Sequence, residues 1–263
     1  MTYQEHLSEN DLIGAVTCLQ AQIKSNPGDT LLRQVLFQCL CLQAKWDQAV
    51  AQLDVLQSLS HEWQNRSVIF QGIIESEKAR ERVFQGMHSI PLYGAAEYCS
   101  RSWIAGCERL TQGKYDEVST FYEQGLSSWP QFKYKINDQH SSWFSDADTR
   151  VGPFIEAFLQ TRYYWIPNYR LKMVIFSPVE RLHDLVWRRA EFWLADGLHT
   201  HGFVPVRYPG ASLAWSGKLL MSGHTEWETV GEKWLIGMGQ RLWMTDWGDQ
   251  AFLEVHKVEQ VNT

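Results

Sequence analysis

Cysteine is scarce in this sequence and unpatterned. Five occur in 263 residues, Cys18, Cys39, Cys41, Cys99 and Cys107. An odd number without C-x-x-C spacing argues against a disulfide framework or a cysteine zinc site, and reads as small hydrophobes in a reducing compartment. Long apolar runs are also missing. None approaches the ~18 residues that span a bilayer, so no membrane segment is expected. The opening MTYQEHLSENDLIGAV has no basic stretch leading into an apolar core, hence no secretory signal, and a cytoplasmic protein is expected. Basic residues are too few for a nucleic-acid binder: 24 Lys and Arg face 30 Asp and Glu, a net charge of −6.

Signatures of chemistry are missing too. There is no Walker A loop, GMGQRL around Gly237 lacks the third glycine of a dinucleotide fingerprint, and Ser216 lacks the first glycine of G-x-S-x-G. His199 with His201, and His224 with Glu226, are pairs on which no third zinc ligand converges in sequence. His183–Asp184 alone is a weak signal. A glycosidase pair could be drawn from many carboxylates, and nothing selects one. No cofactor and no metal are expected.

What is present is a repeat. NDLIGAVTCLQAQI from Asn10 and AKWDQAVAQLDVLQ from Ala44 superpose with a shift of 34, placing Leu12, Ala15, Val16 and Leu19 on Trp46, Ala49, Val50 and Leu53. GKYDEVSTFYEQGLSSWP from Gly113 repeats the pattern through Tyr115, Val118, Tyr122 and Leu126. Offsets of 0, 3, 7 and 11 mark one helix face, and Pro27 and Pro130 stop two of the copies. Leu32 to Leu40, Val68 to Phe84 and Tyr98 to Leu110 read as partner helices. A helix–turn–helix period of 34 resembles tetratricopeptide repeats, although Leu31 to Leu42 lacks the consensus of their first helix. Stacked helices of this kind leave a concave face suited to a peptide or helix.

After Trp129 the texture changes. Ten of the 13 tryptophans lie from there on, among short β-like runs such as RYYWIP, LKMVIFSP, DLVWRRAEFWLAD, KWLIGM, QRLWMT and AFLEVHKV. TDWGDQ predicts a hairpin of Gln240–Thr245 with Ala251–Val258. The fold class expected is α+β: a TPR-like helical array in residues 1–130 packed against a mixed, mostly antiparallel, Trp-rich α+β module in 131–263, with 131–145 joining them.

In WFSDADTRVGPFIEAF, Asp146 and Asp148 fail as a calcium loop, because Arg150, Val151 and Ala157 stand where a ligand, a glycine and a glutamate are required. They are expected instead to start a Pro153-led helix and, with Arg150, to form a polar seam. Arg162, Tyr163, Tyr164, Trp165, Arg207 and Tyr208 combine aromatic anchors with bidentate donors, and are expected to line a partner-binding seam. The competing reading is that they tie the two halves together.

Taken in order, SWFSDADTRVGPFIEAFLQTRYYWIP, DLVWRRAEFWLADG, VPVRYPG, HTEWETVG and GQRLWMTDWGDQAFLEV resemble the ImpE family, the TagJ-type accessory proteins of type VI secretion. The helical half fits through GDTLLRQVLFQCLCLQAKWDQAVAQLDVL. The resemblance implies a non-enzymatic adaptor that binds the N-terminal helical segment of the small contractile-sheath subunit and is linked to the ClpV-type AAA+ ATPase that recycles sheath. An enzyme with a catalytic pocket in the second half is the rival class, and an obligate structural subunit is another.

Overall fold

The computed structural model describes residues 1–211 and 214–261. Its apolar stripes become helices: α1 (Tyr3–Ser8), α2 (Leu12–Ser25), α3 (Thr30–Leu42), α4 (Trp46–Leu59), α5 (Glu62–Phe84), α6 (Tyr98–Thr111) and α7 (Tyr115–Ser127). Side-chain caps fix where several begin. Thr2 and Glu5 form a capping box on α1, Asp11 accepts from Gly14 N, and Asp29 accepts from Leu31 N and Leu32 N. Most of each stripe is buried: Leu12, Ala15, Val16 and Leu19 in α2, Trp46, Ala49 and Leu53 in α4, Val118 and Tyr122 in α7; Val50 and Tyr115 are half-buried, and Leu126, expected on the third stripe, is exposed. Each helix from α1 to α5 packs on the next, and α6 pairs with α7.

The strands are β1 (Lys133–Ile136), β2 (Gln139–Ser141), β3 (Phe144–Asp146), β4 (Phe154–Leu159), β5 (Arg162–Pro167), β6 (Leu171–Phe176), β7 (Trp187–Leu194), β8 (His199–Pro205), β9 (Thr225–Val230), β10 (Trp234–Gly239), β11 (Leu242–Thr245), β12 (Gly248–Ala251) and β13 (Lys257–Val261). A four-residue α8 (Gly217–Leu220) precedes β9. Eight strands form one sheet in the order β2-β1-β13-β6-β7-β8-β4-β5, β12-β11-β3 form a second, and β9 pairs with β10. Every ladder is antiparallel.

The eight-stranded sheet is sandwiched. Its inner face carries Glu156, Phe158, Tyr163, Trp165, Trp187 and Phe203, and meets α5 and, through Trp187, Trp46 of α4. Its other face carries Ile155, Ile166, Val174, Phe192 and Val204, and packs on Phe144 and Trp243 of the small sheet and on Phe252. The larger core cluster runs from Leu12 to Trp234, so helices and strands share it.

Three expectations are corrected. Asp146 and Asp148 do not start a helix: FIEAFL forms β4, with all six side chains buried. A strand covered on both faces is apolar at every position, and a short run of that kind has no period to tell it from a helix. Residues 131–145 are not a plain connector but hold β1, β2 and the start of β3. The predicted C-terminal hairpin is shorter, β11 with β12. A 3-10 turn at Phe252–Glu254 then carries the chain across to the large sheet, where β13 lies between β1 and β6.

Candidate functional site

The acids of the sequence motif lie inside the molecule. Asp148 accepts from Arg150 N and Arg150 Nε, both at 2.9 Å, and from Gly237 N at 2.8 Å. This pins the turn between β3 and β4 to β10. The turn closes at Gly152, whose φ is +55° and where a Cβ would meet the Trp103 indole at 2.0 Å, so only glycine fits. Asp146 accepts from Asp148 N, from the Tyr208 hydroxyl at 3.0 Å and from Arg241.

Arg241 bridges Asp146 to Glu156 of β4, which also accepts from Arg80 Nε at 2.7 Å and from the Tyr163 hydroxyl. Trp165 Nε1 donates to Tyr163 in turn. Arg80 reaches Glu77 at 2.7 Å, and Glu77 accepts from Trp187 Nε1 at 2.8 Å. Arg80, Glu77 and Ser76 lie on α5, so the helix that reads as polar in the middle uses those groups to grip the sheet. Arg207 donates to the carbonyls of Leu42 and Leu220 at 2.7 and 2.8 Å and to Cys41 at 3.3 Å, a cation on the C-terminal end of α3.

The acids sharing Arg241 respond differently. Burial pushes Glu156 up, but Arg80 and Arg241 outweigh it and hold the carboxyl at about 2. Burial raises Asp146 to about 6, because Arg241 is its one cationic partner and the Asp148 carboxylate opposes it, though the Asp148 N–H bond pulls the other way. Burial lowers Arg207 to about 10, still charged at neutral pH.

Beside this seam the same sheet face opens into a cleft of about 610 Å³. Arg66, Ile69, Phe70 and Ile73 of α5 line it from the helical side, and Phe158, Phe203, Arg189 and His201 from the sheet. Pro178, Glu180, Arg181 and His183 come from the segment between β6 and β7. His183 is buried against Phe37 and Phe70, and its Nδ1 has no hydrogen-bond partner. Burial lowers its pKa to about 4, so the ring is neutral at pH 7. Asp184 is occupied by the amides of Glu180 and Arg181 at 3.0 and 2.8 Å.

The residues expected to bind a partner therefore divide. Tyr163, Trp165, Arg207 and Tyr208 are buried and tie elements of the chain to one another, which is the competing reading for those four. Arg162 is exposed and Tyr164 is half-buried against Tyr93, on the opposite face of β5. Arg150 pairs with Asp148 as expected, while the partner of Asp146 is Arg241, far off in sequence. His199 Nε2 lies 2.6 Å from Glu191 Oε1, with His201 Nε2 at 4.0 Å, and His224 lies 2.9 Å from Glu226. Among the described residues no group of three or more His, Cys, Asp or Glu is placed to hold a metal ion. No helix there is long and apolar enough to cross a membrane. Sequence reasoning missed Glu156, Arg241, Arg80 and the cleft; the charged residues inside the apolar pattern of β4 and α5 were the available signal.

A sheet clasped by helical hairpins, with buried ion pairs between the layers and an open cleft along one edge of the helices, is the class of structure seen here. Residues 138–259 match the family model described as ImpE protein. The type VI secretion system accessory component TagJ of Pseudomonas aeruginosa is 29% identical over 259 residues, 98% of this chain and 91% of that one. The resemblance to the ImpE family read from the sequence is thereby shown. The crystal structure of protein VPA1032 from Vibrio parahaemolyticus shares the fold, with a TM-score of 0.89 at 22% identity over 99% of this chain and 98% of that one.

Proposed function

We propose that this chain is a non-enzymatic accessory component of a bacterial type VI secretion system. It works in the cytoplasm as an adaptor that binds the N-terminal helical segment of the small contractile-sheath subunit. It is linked to ClpV-type AAA+ sheath recycling. The observation that carries the reading is the nearly end-to-end alignment with TagJ. The architecture supports it. The helical hairpins, which we take as a degenerate TPR-like array in residues 1–130, present side chains beside a Trp-rich module in 131–263, and helix-in-groove recognition needs such a surface. The buried carboxylates are engaged by arginines and hydroxyls, as suits internal ties. ATP hydrolysis belongs to the partner, and neither nucleic acid nor membrane is part of this reading.

Calorimetric titration of the full chain with a synthetic peptide of the sheath subunit's N-terminal helix tests it. Saturable one-to-one binding is expected. Absence of heat and of pull-down at millimolar peptide would overturn the assignment.

A further inference from the structure

The β9–β10 hairpin has one covered edge and one bare edge. Gln240 N donates to His224 O at 2.9 Å, and this pair continues the register of the ladder. In an antiparallel pair such exchanges recur at every second residue. The even-numbered residues of both strands therefore bond to one another, and the odd-numbered ones point their N–H and C=O groups outward. On β10 the outward groups are engaged: Leu235 N by Thr149 Oγ1 and Leu235 O by Thr149 N, both at 3.0 Å, Gly237 N by Asp148 at 2.8 Å, and Gly239 O by Tyr208 N at 3.0 Å. On β9 they belong to Thr225, Trp227 and Thr229, whose main-chain groups have no hydrogen-bond partner among the described residues. The strand carries no proline and no bulge, the usual means of blunting an edge.

We propose that β9 is a docking edge for an extended segment of another protein, one in which basic residues alternate with β-branched or apolar ones, taken up as a third, antiparallel strand. The main chain supplies the bonds and the side chains select the occupant. Glu226 and Glu228 are exposed on one face of the ribbon. Glu228 has no ion pair among the described residues, and Glu226 has only His224, at 2.9 Å. Lys233 of the hairpin turn is engaged elsewhere, with Ser119 Oγ at 2.6 Å and over the Trp234 ring. A lysine or arginine opposite each glutamate thus forms a cross-strand pair of opposite charge, which stabilises a ladder. On the other face Trp227, half-buried against Tyr208, offers its ring to the residue between them. The same charges turn away a second copy. Pairing β9 with itself through two or more outward residues allows three antiparallel registers, which set Glu226 against Glu228, Glu226 against Glu226, or Glu228 against Glu228. Like charges directly opposite destabilise each of them. This edge lies outside the sheath-subunit reading and does not depend on it.

The test adds to the full chain a capped peptide of alternating Lys and Val, as long as β9, and follows amide hydrogen exchange residue by residue. Protection of Thr225, Trp227 and Thr229 is expected. A Glu/Val peptide of the same length is expected to bind at least ~10-fold more weakly, since two attractive cross-strand pairs become repulsive. N-methylation of the valine amides, which face β9 when each lysine faces a glutamate, is expected to abolish protection, and N-methylation of the lysine amides to leave it. Thr229→Pro removes an outward N–H and none of the bonds to β10, so it is expected to melt like the parent and to weaken the peptide. Glu226→Lys combined with Glu228→Lys is expected to reverse the preference between the two peptides. No protection at millimolar Lys/Val peptide, equal binding of the two peptides, or equal binding after either methylation overturns the proposal. Protection that rises with the concentration of the free chain would assign the edge to a second copy and overturn it too. Should Thr229→Pro fail to fold, the methylated peptides still decide, because they leave the chain unaltered.

Discussion

Along α5, Glu77 and Arg80 meet the sheet within three turns of Phe70 and Ile73, yet the two contacts are in different states. Around Arg80 the donors and carboxylate oxygens close on one another: Glu77, Glu156, Asp146, Arg241, Tyr163 and Trp187 form one bonded set with no access to water. Beside the buried Phe70 the cleft begins, its exposed Arg181 and Arg189 form no ion pair among the described residues, and Nδ1 of buried His183 has no hydrogen-bond partner there. A buried group costs free energy unless it is paired, so a closed set reports an internal tie, and an unclosed one beside a cleft reports room for something else. Charge and aromatic content alone do not separate the two, and for that reason Tyr163, Trp165, Arg207 and Tyr208 read from sequence as a binding surface.

Arg80→Ala should have the largest effect on stability. It leaves Glu156 and Glu77 buried with fewer partners, and about 3–5 kcal/mol should be lost in denaturant unfolding. Arg207→Ala should follow with about 2–3 kcal/mol, because the carbonyls of Leu42 and Leu220 lose their donor in the interior. Either variant melting like the parent would break the contrast drawn here. Next comes pH. Glu156 is held near 2 in the fold, so its stabilising contribution is complete above the ordinary glutamate value and disappears as pH falls toward 2. Thermal melts of Glu156→Gln should therefore start lower at neutral pH and decline less over pH 4.5 to 2. Smallest of all, Ile69→Asp should change stability by no more than about 0.5 kcal/mol, as an exposed substitution does. A larger loss would mean that Ile69 belongs to the core.

Helices α2, α4 and α7 were legible because one face of each is apolar and the other wet. Leu12, Ala15, Val16 and Leu19 show this as clearly in sequence as in the fold. Most strands were legible through aromatic and β-branched runs between turn residues. β4 was not, since Phe154 to Leu159 is covered on both sides and carries no alternation. Glu156 within it was the clue that a charged partner must come from elsewhere. The candidate site escaped for a different reason. Its lining comes from residues 66–73, 158–161, 177–184 and 189–203, four separate stretches, and the helix-face spacing of the first does not by itself announce a cleft. Only the sheet order, which places β8 between β7 and β4, brings them together.

The border of the large sheet has a consequence of its own. At one end Trp165 of β5 exchanges hydrogen bonds with the 91–93 segment, Trp165 N to Pro91 O at 2.8 Å and Tyr93 N to Trp165 O at 2.9 Å. At the other, β2 is three residues long. Neither rim offers a lengthy naked backbone on which a stranger's strand could lie. A neighbouring chain therefore finds little of this sheet to extend, and is met there through side chains rather than as another rung of the ladder.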